Sequence, residues 1–176
     1  AAHAELSDLV ARHVRDVADY PQPGVLFKDI TPLLADGPAF GSVVQSLADR
    51  YRGRVDAVVG IEARGFVFAA PLAVALGVGF VPVRKAGKLP GDVLAASYDL
   101  EYGSAQIEVR GDAFAAASSV VVLDDVLATG GTAQAACTLV ERAGGQVVEF
   151  AAVLELGFLA GRDQLAGRAV HSLLLV

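Results

Sequence analysis

The sequence predicts an α/β fold: a mostly parallel central sheet flanked by helices, with a β-hairpin standing outside that rhythm. Three observations carry the prediction. Short, continuously apolar runs at 55–61, 79–83, 119–123, 146–154 and 169–176 alternate with helical patterns, as strands covered on both faces do. Glycines sit where helices must stop, at Gly77 and at Gly144-Gly145. Two further runs, 96–102 and 105–110, are separated only by Gly103-Ser104, a hairpin turn with glycine first.

Taken in order, residues 5–19 place Leu6, Leu9, Val10, Val14 and Val17 at spacings of three and four, which predicts an amphipathic helix. His13 lies on the same stripe and reads as a packed structural histidine. Tyr20-Pro21-Gln22-Pro23-Gly24 is a breaker cluster and must be loop. Asp36 precedes Gly37-Pro38 and caps a second helix running to about Tyr51. Helices follow at 65–76 and 133–143, with a short one near 162–165. No repeat and no linker divides residues 1–176, which are read as a single domain.

Composition narrows the function classes. With 54% apolar residues and 19 glycines the chain is neither disordered nor of low complexity. A net charge of −6 argues against nucleic acid as the main partner, because a phosphate backbone demands a basic face. Cys137 is the one cysteine and cannot form an internal disulfide. No apolar run reaches the roughly 18 residues of a membrane helix, and the first residues show no signal-type pattern, so a cytoplasmic protein is expected. Of 14 basic residues only Lys28, Lys85 and Lys88 are lysines, and all three fall in segments singled out below.

The sharpest segment is Val120-Val121-Val122-Leu123-Asp124-Asp125-Val126-Leu127-Ala128-Thr129-Gly130-Gly131-Thr132. An apolar strand ends in two carboxylates, and a loop of small residues then opens a helix. Ligands in open α/β sheets sit at the carboxyl ends of strands. Ala128, Thr129, Gly130, Gly131 and Thr132 can bring backbone N–H groups, a helix N-terminus and two hydroxyls to a phosphate. Asp124 and Asp125 then lie about one sugar-length upstream, placed to accept from a ribose diol. An ordinary glycine-rich turn would not need two adjacent acids on a buried strand end. Neither the Gly-x-x-x-x-Gly-Lys nor the Gly-x-Gly-x-x-Gly fingerprint is present.

This segment resembles the phosphoribosyl pyrophosphate signature of the type I phosphoribosyltransferases. Three more resemble the adenine-specific family within that group: Pro21-Gln22-Pro23-Gly24-Val25-Leu26-Phe27-Lys28-Asp29-Ile30-Thr31-Pro32, Glu62-Ala63-Arg64-Gly65-Phe66, and the stretch from Arg84-Lys85-Ala86-Gly87-Lys88 to Tyr102-Gly103. With Leu156 to Arg162 the likeness spans nearly the whole chain. Lys28 departs slightly, since the family often carries arginine there.

The resemblance implies an enzyme that joins adenine to phosphoribosyl pyrophosphate, giving AMP and pyrophosphate. Such chemistry builds positive charge on the ribose and negative charge on the leaving group, so pyrophosphate must be neutralised and both substrates positioned. By resemblance, Arg64 meets the pyrophosphate, as do Arg84, Lys85 and Lys88, which otherwise read as a solvated basic patch. Relatives reach such residues across a dimer interface, so a homodimer is expected. Magnesium is expected to bind mainly through substrate oxygens and water, with no ligand cage in the protein. The hairpin at 96–110, carrying Tyr98, Glu101 and Tyr102, resembles a lid that excludes water, and by the same resemblance Tyr102 is expected to contact phosphoribosyl pyrophosphate. Glu101 corresponds to the glutamate that manages the purine proton, or else is a plain surface acid. Phe27 is expected to stack on adenine with Leu159 on the other face, while backbone groups of Leu26 and Lys28 read the base edge.

Two alternatives remain in this reading. The 6-oxopurine enzymes commonly use a lysine beyond the phosphate loop, and this chain has none after Lys88. A non-catalytic regulator sensing phosphoribosyl pyrophosphate would need an added DNA-binding helix pair or a basic surface, and the sequence offers neither.

Overall fold

The computed structural model describes residues 2–100 and 102–176. Helix α1 (Ala2–His13) is followed by a two-stranded ribbon of β1 (Arg15–Ala18) and β2 (Leu26–Asp29), then by α2 (Thr31–Ala35) and α3 (Gly37–Tyr51). The expected first helix, 5–19, is therefore too long. Beyond His13 the chain turns back on itself, and opposite charges meet across the ribbon: Arg15 faces Asp29 and Asp16 faces Lys28. Phe27 thus belongs to a strand that follows the proline loop.

The second sheet has seven strands: β3 (Ala57–Ile61), β4 (Gly79–Lys85), β5 (Val93–Asp99), β6 (Ser104–Arg110), β7 (Ser119–Leu127), β8 (Gln146–Glu155) and β9 (Val170–Leu175). Their order is β5-β6-β4-β3-β7-β8-β9. From β4 to β9 all pairs are parallel; only β6 runs antiparallel, to β4 and to β5. The predicted hairpin is thus the antiparallel edge of the main sheet. Asp99 pairs with Ser104, so Ser104 belongs to β6 rather than to the turn.

Alternating residues of the central strands feed two cores. Val58, Val121, Leu123, Ala151 and Val153 pack under α1, α3 and α4 (Arg64–Leu76). Val59, Ile61, Val120, Val122, Phe150 and Ala152 pack under α5 (Gly131–Arg142). Asp36 caps α3 by accepting from the Ala39 N–H at 2.9 Å, as expected. His13 Nδ1 donates to Leu9 O at 2.8 Å and its Nε2 lies 3.2 Å from Asp36 Oδ2, which suits its structural reading. The expected helix at 162–165 becomes two 3-10 turns, Gly157–Leu159 and Gly161–Leu165. No described helix is long and apolar enough to cross a membrane.

Candidate active site

Strand β7 outruns its neighbour. Its pairing with β3 ends at Leu123, whereas its pairing with β8 continues to Leu127. Asp124 and Asp125 therefore still lie on the strand, past the end of β3 rather than past the end of β7. They project at the carboxyl edge of the sheet, where α/β folds hold ligands.

Two adjoining cavities meet at these residues. A small one of about 70 Å³ is enclosed by Asp124, Val126, Leu127, Ala128, Thr129, Gly130, Thr132 and Ala133 at the N-terminus of α5. A cleft of about 290 Å³ is lined by Val25, Leu26, Phe27 and Lys28 on one side, and by Arg64, Asp124, Asp125, Val126, Ala128 and Leu156 on the other. Asp124, Val126 and Ala128 line both. A larger surface hollow between α1 and α3 holds none of the chemistry-bearing residues. The structure thus brings Leu26, Phe27, Lys28, Arg64, both aspartates and most of the glycine loop to one place. Gly131 opens α5 next to Tyr98 of the hairpin, to which a Cβ on Gly131 would stand 3.8 Å.

The aspartates differ. Asp125 is 4% exposed, and Arg64 Nε lies 2.9 Å from its Oδ2. That N–H does not point along the contact, so Oδ2 has charge compensation but no hydrogen-bond donor. Asp124 accepts from the Asp125 backbone N–H at 2.8 Å. Burial, and then the neighbouring Asp125 charge, push the Asp124 carboxyl well above the ordinary aspartate range. Close packing enforces this crowding: a Cβ on Gly65 would stand 2.9 Å from Asp124 Oδ1 and 3.0 Å from Leu123 O. Glycine there lets the start of α4 press Arg64 against the end of β7.

Arg64 also spans the cleft, its guanidinium 5.5 Å from the centre of the Phe27 ring. Tyr20 meets the same ring edge-on at 5.1 Å. Lys28 is committed to Asp16 at 2.6 Å, so its ammonium serves the ribbon. Because β2 pairs with β1 alone, its second edge leaves backbone N–H and C=O groups without ladder partners.

Sequence reasoning missed Glu62. Its carboxylate accepts from Lys88 Nζ at 2.9 Å, from the Lys85 N–H at 2.8 Å and from Arg84 Nη2 at 2.9 Å. The Lys88 bond first, then the Lys85 amide, hold its pKa down to about 2. One acid, two residues ahead of Arg64 in the chain, thus gathers Arg84 and Lys88. The signal was available, since in the sequence Glu62 follows an apolar run just as Asp124 does. Lys85 keeps an exposed side chain. Leu156, also missed, walls the cleft, whereas Leu159 lies three residues on and is 39% exposed. Tyr102 is 85% exposed and lines neither cavity. Glu101 lies outside the described residues. Among the described residues no three His, Cys, Asp or Glu side chains group to hold a metal ion.

Comparison with known proteins agrees with this geometry. Residues 34–169 match the family model described as "Phosphoribosyl transferase domain". An adenine phosphoribosyltransferase of Salinispora arenicola is 61% identical over 97% of this chain and 92% of its own. The crystal structure of adenine phosphoribosyltransferase from Thermoanaerobacter pseudethanolicus superposes with a TM-score of 0.92 at 46% identity, covering 96% of this chain and 99% of that one. That of Saccharomyces cerevisiae, complexed with an imino-altritol bisphosphate and adenine, gives 0.92 at 39%, covering 97% and 99%. A pair of aspartates, one half-buried and one buried, a glycine-rich cradle and an arginine beside them thus accompany likeness over nearly the full length, and the chain belongs to the phosphoribosyltransferase family, among the adenine phosphoribosyltransferases.

Proposed function

We propose that this chain transfers the phosphoribosyl group of phosphoribosyl pyrophosphate to adenine, releasing pyrophosphate and AMP. One observation carries the reading: two adjoining recesses that share Asp124, Val126 and Ala128 as walls lead from the Phe27 ring, past Asp124 and Asp125, to the glycine loop at the start of α5. Base, ribose and 5′-phosphate are three groups in that order. The loop N–H groups and the Thr129 and Thr132 hydroxyls hold the 5′-phosphate. Asp124 and Asp125 accept from the ribose hydroxyls and stabilise positive charge growing on the ring. Arg64, moving off the Phe27 face, pairs with the pyrophosphate, aided by Arg84, Lys85 and Lys88. Adenine then takes the vacated ring face, with Leu156 and Leu159 closing the other side.

Magnesium fits this site as a substrate-borne ion. Two adjacent carboxylates, one with an oxygen lacking a donor, suit water-mediated contact better than direct ligation. Bound there, the ion neutralises charge on the leaving pyrophosphate. Glu101 handles the purine proton and the 96–110 hairpin closes over the sugar; both roles rest on the family resemblance. So does the homodimer, which would let Lys85, exposed in one protomer, serve its partner's site.

Base choice is the test. Adenine presents a donor where hypoxanthine, guanine and xanthine present an acceptor, and a desolvated site punishes the mismatch by on the order of 10⁴-fold. Free backbone groups of β2 match the adenine edge without a side-chain charge. Assayed side by side with phosphoribosyl pyrophosphate and magnesium, adenine should give rapid AMP and the other three near-background product. Comparable use of hypoxanthine would move the chain to the 6-oxopurine class, and no turnover at all would revive the regulator.

A further inference from the structure

The glycine cradle does not hold its own shape. Gly130 has φ +89°, and a Cβ there would stand 2.3 Å from the carbonyl oxygen of Gly161; a Cβ on Gly161 would stand 2.3 Å from the carbonyl oxygen of Ala128. Two backbone segments distant in sequence are in direct contact, with no side chain between them. The wall behind the phosphate cradle is therefore the second 3-10 turn.

Apolar burial does little to fix that turn. Phe158 is 75% exposed, Ala160 is exposed, and Leu165 at the far end is the first side chain sunk in the core. A polar clamp holds the near end instead. Arg162, next to Gly161, donates Nε to Glu155 Oε1 at 2.6 Å and Nη2 to Glu155 Oε2 at 2.9 Å. Its Nη1 reaches the Val170 carbonyl at 3.2 Å. Glu155, the last residue of β8, is 4% exposed and also accepts from Ser172 Oγ at 2.6 Å. The fork is anchored at both its oxygens, the geometry that makes arginine–carboxylate pairs directional. Neither residue lines the cradle or the cleft.

We propose that Arg162 and Glu155 are positioning residues for phosphoribosyl recognition: their ion pair, a buried carboxylate held by a half-exposed guanidinium, seats the Gly161 backbone against Ala128 and Gly130 and so sets the width of the phosphate cradle. This rests on reading 128–132 as the 5′-phosphate site. Sites of this kind need their walls held to about 0.5 Å, and a shift near 1 Å can cost on the order of 100-fold.

The test pairs steady-state kinetics with calorimetric binding of ribose 5-phosphate, in Arg162→Ala, Arg162→Lys, Glu155→Gln and Ser172→Ala. Tyr51→Phe, which perturbs a second arginine–glutamate pair with a buried carboxylate, at the other end of β8 from the cradle, controls for lost stability. Arg162→Ala and Glu155→Gln should raise the KM for phosphoribosyl pyrophosphate and weaken ribose 5-phosphate binding by about tenfold or more, with kcat within about threefold. Arg162→Lys, keeping charge but not the fork, should recover part of the loss, and Tyr51→Phe should move neither quantity. Should Glu155→Gln fail to fold, Ser172→Ala, which removes one of the donors to Glu155, must still weaken ribose 5-phosphate binding. Unchanged ribose 5-phosphate affinity in folded Arg162→Ala, or an equal loss in Tyr51→Phe, overturns the proposal. If the wild type makes no AMP, the functional reading fails separately, and ribose 5-phosphate affinity still scores the clamp.

Discussion

Glu149, toward the amino end of the parallel sheet, and the Asp124–Asp125 pair, at its carboxyl end, spend charge in opposite ways. Toward the amino end, Glu149 of β8 takes a two-pronged contact from Arg50 at 2.7 and 2.8 Å and a third from Tyr51 Oη at 2.6 Å. Burial, the largest single influence, pushes the Glu149 pKa up; the bonds from Arg50 and Tyr51 outweigh it, and the carboxylate stays below its ordinary range. Every oxygen there has a donor. At the carboxyl end, Asp124 is held above its ordinary range and Asp125 Oδ2 lacks a donor. A fold can tolerate such an unsatisfied corner, and under the proposed function the missing partner is the ligand. On that reading the contrast separates an acid that holds the fold from a pair that holds the substrate.

The largest expected effect lies at the carboxyl end. Asp125→Asn and Asp124→Asn each remove a charged acceptor worth about 1.5–3 kcal/mol. Each should cut kcat/KM for phosphoribosyl pyrophosphate by roughly 10- to 100-fold, read by initial rates of AMP formation. Asp124→Asn should also stabilise the free protein. With its folded pKa raised, the Asp124 contribution to stability is fullest at low pH and is lost as pH rises through that value. Asparagine keeps the acceptor for the Asp125 N–H and discards the charge. A gain of about 1 kcal/mol would raise Tm by about 2–4 °C in thermal denaturation. A variant both inactive and less stable would mean that Asp124 is structural after all.

Glu149→Gln should do the reverse. It leaves Arg50 and Tyr51 with a weaker acceptor and should cost about 1–3 kcal/mol of stability, less the part that Arg50, 37% exposed, recovers from water. Substrate KM should stay within about twofold, since nothing at that end faces the cleft. A large kinetic effect with little loss of Tm would erase the distinction between the two ends.

The same distinction explains what could be read from the sequence. The central strands, α3 with its Asp36 cap, the helix over 65–76 and the glycine-rich loop were legible because each rests on local signals: apolar runs, caps, glycines. The Asp124-Asp125 pair was legible because two acids ending an apolar run have no structural excuse. The ribbon was not legible: Val14 and Val17 continue the helical spacing, and only the partner strand at 26–29, across the proline loop, overrides it. Glu62, Leu156 and the Arg162–Glu155 clamp escaped because their importance lies in what they touch. Glu62 meets residues 22 to 26 positions ahead, and spacing along a chain does not report such contacts.

The smallest expected effect is a difference in pH slope. His171, near the start of β9, is half-buried, with its ring centre 5.8 Å from that of His3. Burial first, and then the Arg50 charge, lower its pKa to about 4, against the weaker opposing pull of Glu149. Below about pH 6.5 the unfolded chain therefore takes up a proton that the folded chain refuses. The stability this histidine contributes is complete above that pH and is lost as pH falls toward 4. Between pH 7 and 5 the loss is bounded by about 2 kcal/mol, and partial exposure should bring it nearer 1 kcal/mol. Urea unfolding across that range should show a slope that His171→Gln flattens. Asp124 works with the opposite sign, so Asp124→Asn should steepen the rise of stability with pH over the range where its carboxyl titrates. Opposite responses in the two variants would assign one pH slope to each end of the sheet, and parallel responses would show that the ends are not electrostatically independent.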